Sequence, residues 1–430
     1  MKNINLIIKE LHGFLILWST QSLSLLGSSM TNFALVLWTY EEKGSALTTA
    51  LLSVCSYAPY VIMSIFAGAL SDKWNKKVTM LASDSFAALC TVAVLILLKT
   101  GHLEIWHLYC LNGLNGLMGT VQQPAGDVAI SLITPKEHYQ KVSGLRSFSS
   151  SLVNILVPVA ATTIFAAFGL DAVIYFDLST FAVAFAALCF FVEIPIVQEI
   201  KDKGESLIES AKGGLRYLKK HRGILDLILF LAGINLTASM YNAAFPAMLL
   251  SRSGGGESAL ATVNAVIGIA MLAGSLAASA LPAPKSRVRL ICNTLFLSMS
   301  TENFFLAFGD TVPVWCLGAI LGWVWVPIMN ANMDVLFRSY IPVTMQGRVY
   351  SARNTLQFFT IPIGYFLGGV LVDKVFEPYM AAQLPDSFWV SLFGSGKGSG
   401  AAMFFLMIGV LGVVTCLIFR KDKHIWKLEQ

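Results

Sequence analysis

Long apolar runs separated by short polar connections make up most of this chain. A helix that crosses the hydrocarbon core of a bilayer needs about 20 mostly apolar residues, and the runs have that length. Twelve spans are predicted, at residues 14–38, 47–70, 78–98, 106–130, 142–168, 172–192, 224–250, 259–281, 290–308, 314–336, 349–372 and 401–419. Only the connections 193–223 and 373–400 are long. The pattern predicts an all-α membrane protein with twelve transmembrane helices.

Composition agrees with a membrane protein. The chain is 56% hydrophobic and 13% charged, whereas a soluble domain has about 25% charged residues. The apolar run after Lys9 continues to Trp38, which is too long for a cleaved signal peptide. The net charge of +5 is too small to indicate nucleic acid as a partner. The cysteines form no C-x-x-C pair and the histidines lack metal-ligand spacing, so we predict no disulfide framework, metal or cofactor.

The lysines and arginines predict the orientation of the chain. Cytoplasmic segments of membrane proteins carry an excess of these residues. With the N-terminus in the cytoplasm, the inward-facing loops and helix ends hold 25 of the 30 basic residues. We therefore expect both termini to be cytoplasmic.

The two halves of the chain resemble each other. Span 1 contains Ser-Met-Thr-Asn at 29–32, and span 7 contains Ser-Met-Tyr-Asn at 239–242. Six helices repeated in parallel are typical of transporters that rock two halves around a midplane site. The predicted domains are a six-helix bundle at 1–192, a cytoplasmic linker with an amphipathic helix at 193–223, and a second six-helix bundle at 224–430.

A pair of opposite charges is also repeated. Asp127 and Arg146 flank the turn between spans 4 and 5, and Asp334 and Arg353 flank the turn between spans 10 and 11 with the same separation. Each pair would sit at the cytoplasmic end of two antiparallel helices. The repetition favours ion pairs that close a gate over direct contacts with a ligand.

The connection between spans 2 and 3 has the sequence Gly-Ala-Leu-Ser-Asp-Lys-Trp-Asn-Lys-Lys. It resembles the pattern G-x-L-x-D-[RK]-x-[GN]-[RK]-[RK] of the major facilitator superfamily. The resemblance implies a fold of two pseudo-symmetric six-helix bundles and a gating motif in this loop. The residues that match the motif are Gly68, Asp72, Lys73, Lys76 and Lys77.

Further residues are similar to the macrolide-efflux-type drug exporters of that superfamily. They include the amphipathic entry to span 7 at 214–218 and Pro124 in span 4. One departure from the antiporter pattern is Val157 before Pro158, where that pattern is glycine-rich. A second copy of the loop motif at 368–374 follows span 11, on the opposite side of the membrane, and we predict no gating role for it.

Three acidic residues lie inside predicted spans, where a charge costs about 2.5–3.5 kcal/mol on insertion scales. Glu302 is the deepest, in span 9, and the others are Asp84 and Asp177 in spans 3 and 6. The resemblance implies peripheral positions for these helices and argues against a substrate role. Glu302 is a candidate proton carrier, with an interhelical hydrogen bond as the alternative.

A substrate cavity is predicted from polar and aromatic residues on the other helices. Few charges among them suit a bulky, mostly apolar solute held by a few hydrogen bonds, and polar contacts between helices are the alternative. The candidates are Gln21, Asn32, Tyr57, Tyr60, Asn154, Asn235, Asn242, Asn264, Trp323, Asn330 and Gln357.

These observations predict an exporter rather than an enzyme. The glycine-rich run at 394–398 lacks the spacing of a phosphate-binding loop, so export must use an ion gradient. We expect a monomer in the inner membrane of a bacterium that moves a bulky amphiphilic compound out against protons. Export of a native metabolite such as a siderophore is the alternative, and a polytopic membrane enzyme is disfavoured because no catalytic carboxylates or histidines gather at one face.

Overall fold

The computed structural model describes residues 10–135, 138–195, 207–282, 284–341 and 343–429, and this part of the chain is almost entirely helical, without strands. Six helices form its first half. They are α1 (His12–Lys43), α2 (Ala46–Lys73), α3 (Lys76–Lys99), α4 (Ile105–Ile133), α5 (Tyr139–Phe168) and α6 (Leu170–Phe190).

Six membrane-length segments and four short helices form the second half. Elements α7 to α12 are Leu207–Lys220, Arg222–Ser251, Glu257–Ala280, Arg287–Phe308, Val312–Trp323 and Trp325–Tyr340. Elements α13 to α18 are Val343–Phe358, Thr360–Leu371, Glu377–Ala381, Phe388–Phe393, Ser399–Arg420 and Lys423–Trp426. A π-helical turn, Val372–Phe376, joins α14 to α15, and a 3-10 turn, Lys427–Glu429, follows α18.

Two of the predicted spans are broken into consecutive helices. Span 10 is divided between α11 and α12 at Val324, and span 11 between α13 and α14 at Phe359. Pro327 and Pro362 stand three residues after these breaks. Proline has no N–H to donate to the preceding turn and its ring crowds the carbonyl four residues earlier. Proline favours these breaks but does not by itself cause them, because Pro59, Pro158 and Pro246 lie inside the continuous helices α2, α5 and α8.

Nine helical stretches in the described ranges are long and apolar enough to cross a membrane. The helices outside that set are α1, α4 and α10, which carry more hydroxyl, amide and carboxyl side chains. These three helices supply much of the polar lining of the cavities described below. Their lower hydropathy thus has a structural reason, and the twelve-helix architecture stands.

The chain divides into two compact units. Unit 1 consists of Met1–Trp38 and Cys55–Leu207, and unit 2 consists of Thr39–Val54 and Ile208–Gln430. The segment Thr39–Val54, the end of α1 and the start of α2, therefore packs with the second half. The boundaries at residues 192 and 223, which would separate the linker from the two bundles, stay a prediction.

The core of unit 2 includes both the linker helix and the C-terminal end of the chain. Leu218 of α7 is 1% exposed and packs in the same apolar cluster as α8, α10 and α12. Ile425 and Leu428, beyond the last membrane segment, belong to that cluster too. At roughly 25 cal/mol for each Å² of apolar surface buried, these contacts attach the two polar segments to unit 2.

Candidate functional site

A polar cavity of about 270 Å³ lies inside unit 1. Helices α1, α3, α4 and α6 supply its walls. Asp84 of α3 is half-buried there, and each of its carboxylate oxygens accepts a hydrogen bond from a side-chain amide. Gln21 of α1 is one donor, at 3.2 Å, and Gln122 of α4 is the other. The cavity thus contains a carboxylate held by three helices.

Asp177 of α6 lines the same cavity and is 4% exposed. The Ser28 hydroxyl of α1 donates to its Oδ1 atom at 2.9 Å. The sequence argued against a substrate role for Asp84 and Asp177; that stays a prediction, although both side chains line this cavity. Sequence reasoning placed them on peripheral helices, but their side chains face inward between helices, where desolvation requires hydrogen-bond donors.

A second cavity in unit 1, of about 470 Å³, shares Gln21 and Gln122 with the first. The Tyr60 hydroxyl donates to Gln123 Oε1 at 3.1 Å on its wall. Arg146 Nη2 donates to Asp127 Oδ1 at 2.6 Å, and both side chains are about half exposed. The predicted charge pair of the first half is formed, and it lines this cavity.

A smaller cavity, of about 190 Å³, lies in unit 2 and contains Glu302 of α10. Glu302 is 5% exposed, and its Oε1 atom accepts a hydrogen bond from the Tyr241 hydroxyl of α8. Trp323 of α11 packs edge-on against Tyr241, with ring centroids 6.1 Å apart. Glu302 is therefore neither peripheral to the cavity nor isolated in the membrane.

Close packing with a glycine positions Glu302. A Cβ atom added to Gly322 of α11 would lie 2.6 Å from the Glu302 Cβ atom, and real side chains essentially never approach so closely. The absence of a side chain at Gly322 therefore lets α10 and α11 come together where the carboxylate enters the cavity.

Sequence reasoning missed Tyr241 as a functional residue, although a signal was present. Tyr241 occupies the position of Thr31 in the repeated Ser-Met-x-Asn run. Thr31 lines the cavity with Asp177 in unit 1, and Tyr241 lines the cavity with Glu302 in unit 2. In both units, the residue at the third position of this repeat therefore lines a cavity that contains a buried carboxyl group.

The predicted charge pair of the second half is not reproduced among the described contacts. Arg353 Nε donates to Gln357 Oε1 at 3.0 Å, and its guanidinium lies 4.3 Å from the centroid of the Phe337 ring. Asp334 is exposed. Arg353 therefore has an aromatic face and an amide as partners among the described residues, and its pairing with Asp334 stays a prediction.

The other cavity candidates are distributed unevenly. Asn32 lines the first cavity, and Asn235, Trp323 and Asn330 line the cavity of unit 2. Gln357 is 8% exposed, and its backbone carbonyl accepts from Asn235 Nδ2 at 3.1 Å. The remaining candidates lie outside these three cavities.

Those remaining candidates have different surroundings. Tyr57, Asn154 and Asn242 are exposed. Asn264 donates to the Leu260 carbonyl of its own helix at 2.9 Å, which satisfies its amide locally. A role for them in substrate binding stays a prediction.

The described part of the loop motif begins after Lys73. The side chains of Gly68, Asp72 and Lys73 lie outside the described residues. Lys76 Nζ donates to the Trp74 carbonyl at 3.2 Å. Lys77 Nζ donates to the carbonyls of Cys189 and Val192, at 3.0 and 2.8 Å. A cation at the C-terminal end of a helix is favourable, so Lys77 anchors the loop to the end of α6.

Asp373 has a structural role that the sequence did not predict. Its carboxylate accepts from the Ser45 hydroxyl at 2.5 Å and from the backbone N–H groups of Ala46 and Leu47 at 3.0 and 2.9 Å. These are free N–H groups at the beginning of α2. The motif-like run at 368–374, for which we predicted no gating role, thus caps a helix within unit 2.

Asp226, Asp422 and His424 form a group of side chains that could hold a metal ion, with ligand atoms within 4.8 Å of one another. His424 Nδ1 lies 3.2 Å from Asp226 Oδ2 and 3.4 Å from Asp422 Oδ1. The group links the C-terminal end of the chain to α8 through these direct contacts.

Comparisons with known proteins agree with this architecture. A family model described as "Major Facilitator Superfamily" matches residues 17–365. "Macrolide efflux protein A" of Streptococcus pyogenes is 23% identical over 366 residues, which are 84% of this chain and 90% of that protein. "Multidrug efflux pump Tap" of Mycolicibacterium fortuitum is 24% identical over 377 residues, 84% of this chain and 89% of that protein. Among solved structures, a bacterial homologue of the iron transporter ferroportin superposes with a TM-score of 0.69 at 14% identity, covering 96% of this chain and 99% of that one.

Proposed function

This chain belongs to the major facilitator superfamily, and from that premise we propose that it exports a bulky amphiphilic compound, such as a macrolide-like drug, by alternating access. The observation that carries the proposal is the pair of cavities in unit 1, which combine amide, hydroxyl and carboxyl groups with apolar walls. Such a lining suits a large, mostly apolar molecule with a few polar groups. The similar proteins that are named as macrolide and multidrug efflux proteins also support export of such a compound.

We propose that proton entry drives the export. Glu302 supports this role because it is buried in a cavity, accepts a hydrogen bond from the Tyr241 hydroxyl, and has no ion-pair partner among the described residues, so that it can gain or lose a proton without breaking an ion pair. A carboxyl group in such a position changes charge at a cost that the proton gradient can supply. Protons are the proposed coupling ion.

We further propose how the molecule sits in its membrane. It is a monomer in the inner membrane of a bacterium, with both termini in the cytoplasm, as the distribution of lysine and arginine favours. The loop motif with Asp72 and the Asp127–Arg146 pair then belong to a cytoplasmic gate. The Asp334–Arg353 pair remains part of this proposal only in a conformation that brings those two side chains together.

The test is transport by the purified protein in liposomes. With a pH gradient imposed, a radiolabelled macrolide should accumulate above its external concentration, and a protonophore should abolish the accumulation. Empty liposomes are the control for partitioning into lipid. A protein that concentrates a siderophore but no amphiphilic drug would support the metabolite alternative. Equal distribution of every tested solute with and without the gradient would contradict the proposal.

A further inference from the structure

Exposed lysines and arginines gather on two segments at one end of unit 2. The first segment is the end of the linker helix α7 with the first residue of α8, and the second runs from the last residue of α17 to the 3-10 turn. Together they are called the basic surface. Its eight exposed side chains are Arg216, Lys219, Lys220, Arg222, Arg420, Lys421, Lys423 and Lys427.

Direct packing holds the two segments of the basic surface together. Leu218 of α7, Ile425 of α18 and Leu428 belong to one apolar cluster, and each is at most 9% exposed. A Cβ atom on Gly223 would lie 2.5 Å from the His424 carbonyl oxygen, so the backbones of the two segments touch. Chain ends are poorly ordered unless they are tied down. Here the buried apolar side chains fix the end of the chain, and its charges have defined places.

A second set of contacts shapes the C-terminal segment. The Trp426 Nε1 atom donates to the Arg420 carbonyl at 2.7 Å, which closes the turn between α17 and α18. The Arg289 guanidinium lies 6.0 Å from the centroid of the Trp426 ring. A tryptophan in this place is typical of the interface between membrane and water.

The surface of α17 shows where the basic surface lies relative to the bilayer. Val414, Leu417 and Ile418 are 44%, 43% and 62% exposed. Because α17 is long and apolar enough to cross a membrane, these large apolar side chains face lipid. Arg420 follows Ile418 by two residues, and basic residues at the ends of membrane helices reach the headgroups. The basic surface therefore lies at headgroup depth, beside a lipid-facing helix.

Carboxyl groups do not cancel the charge of the basic surface. Asp226 of α8 and Asp422 lie among the bases, and their side chains are only 13% and 23% exposed. Both face the same imidazole, since His424 Nδ1 lies 3.2 Å from one carboxylate and 3.4 Å from the other. Eight exposed bases against two mostly covered carboxylates leave a clear excess of positive charge toward the lipid headgroups.

We propose that the basic surface binds anionic phospholipids in preference to zwitterionic ones. Clusters of four to eight lysines and arginines next to a membrane helix attract anionic headgroups, and their side chains donate charge-assisted hydrogen bonds to phosphate oxygens. The acyl chains lie along the exposed apolar side chains of α17. Those apolar contacts favour a lipid over a soluble phosphate compound as the occupant.

Native mass spectrometry of the full-length protein can measure this preference. The protein in a neutral detergent is titrated with phosphatidylglycerol, which is anionic, or with phosphatidylcholine of the same acyl chains, which is zwitterionic. We expect phosphatidylglycerol to bind at least tenfold more tightly, a difference of about 1.4 kcal/mol. Raising the salt concentration about tenfold should narrow the difference, because exposed charges are screened.

Variants assign the preference to the basic surface. Lys421→Gln with Lys423→Gln should weaken phosphatidylglycerol binding at least fivefold and change phosphatidylcholine binding less than twofold. Lys421→Arg with Lys423→Arg should keep the wild-type preference. The matched control is Lys43→Gln with Lys374→Gln, which removes two exposed lysines at the end of unit 2 where α17 begins. This control should bind both lipids as the wild type does.

The opposite results would overturn the proposal. Equal binding of the two lipids by the wild type, or an unchanged preference in Lys421→Gln with Lys423→Gln, would show that the basic surface does not select the headgroup. An equal loss in the control variant would show a response to net charge alone. Glycerophosphoglycerol, the same headgroup without acyl chains, should not displace the lipid. Its displacement of phosphatidylglycerol at a similar concentration would reassign the surface to a soluble phosphate compound.

Discussion

At the scale of single residues, the buried carboxylates are distinguished by their hydrogen-bond donors rather than by their depth. Asp84 accepts from the side-chain amides of Gln21 and Gln122, Asp177 from the Ser28 hydroxyl, and Glu302 from the Tyr241 hydroxyl. Each buried carboxyl group thus obtains donors from neighbouring helices, and these donors offset part of the cost of its burial.

The first prediction concerns Glu302. Glu302→Gln should abolish accumulation of substrate under a pH gradient, because an amide cannot carry a proton, yet leave substrate exchange without a gradient within about twofold. Both are measured with radiolabelled macrolide in liposomes. Tyr241→Phe, which removes the hydroxyl donor and keeps the ring, should slow uphill transport without abolishing it. Undiminished accumulation by Glu302→Gln would show that Glu302 does not carry the proton and that its role is the interhelical hydrogen bond.

Glu41 supplies a second prediction at this scale. It lies beyond the predicted end of span 1, and burial, followed by the hydrogen bond and negative charge of Glu257, raises the pKa of its carboxyl from 4.5 to about 7. Between pH 4.5 and pH 7 the Glu41 carboxyl keeps its proton in the folded protein, whereas it loses the proton in the unfolded chain. Stability should therefore fall as the pH rises from about 4.5 to 7.

The measurement is the thermal unfolding temperature of the detergent-solubilised protein at several pH values across that window. Glu41→Gln should flatten the decline, and the change should be modest because the side chain is exposed. Asp386→Asn, an exposed acid in the same unit, should leave the profile unchanged. A Glu41→Gln profile that matches the wild type at every pH would refute the assignment.

At the scale of elements, helix beginnings in unit 2 are capped by carboxylates from other parts of the chain. Asp373, in the π-helical turn, caps α2, and Glu377 accepts from the Gly398 and Ala401 N–H groups at the start of α17. The partial positive charge and free N–H groups of a helix N-terminus favour such anions. A Cβ atom on Gly369 would lie 2.6 Å from Leu47 Cα, so close backbone approach brings the first of these caps into reach.

The third prediction tests that cap. Asp373→Ala should destabilise the first turn of α2 by about 1–2 kcal/mol, the usual cost of losing a capping side chain. Hydrogen–deuterium exchange at residues 46–52 should accelerate by about tenfold, while exchange at residues 400–408 stays unchanged. Lys374→Met, in the same π-helical turn, is the matched control. Unaltered exchange in Asp373→Ala would show that packing alone holds the segment Thr39–Val54 in unit 2.

At the scale of the whole molecule, the two halves share a sequence repeat, but the repeated arginines make different contacts. Arg146 pairs with Asp127, whereas Arg353 contacts Gln357 and Phe337. Gln357 offers an amide oxygen four residues after Arg353, on the same helix face. The repeat therefore predicts where a cation stands in each half but not its partner.

The fourth prediction is a difference between the halves in double-mutant cycles. Asp127→Asn and Arg146→Gln should show a coupling energy of up to about 1 kcal/mol in thermal stability, because both side chains are half exposed. Asp334→Asn and Arg353→Gln should be additive within about 0.3–0.5 kcal/mol. Coupling of similar size in both cycles would indicate that the second pair also forms in a substantial fraction of molecules.

The sequence by itself determined the all-helical membrane architecture and the family. The architecture follows from the length of the apolar runs, which the bilayer thickness sets, and the family from a ten-residue motif. It also located the Asp127–Arg146 pair, which lies across a tight turn between antiparallel helices, although the same spacing does not pair Asp334 with Arg353 among the described contacts.

Only the tertiary structure decided which polar groups share a cavity. Gln21, Asp84 and Gln122 are far apart in the chain, and their meeting depends on how α1, α3 and α4 rotate about their axes. Hydropathy does not specify that rotation, because the apolar residues of these helices are not confined to one face. Steric packing at small residues and the need of each buried carboxylate for hydrogen-bond donors set it instead.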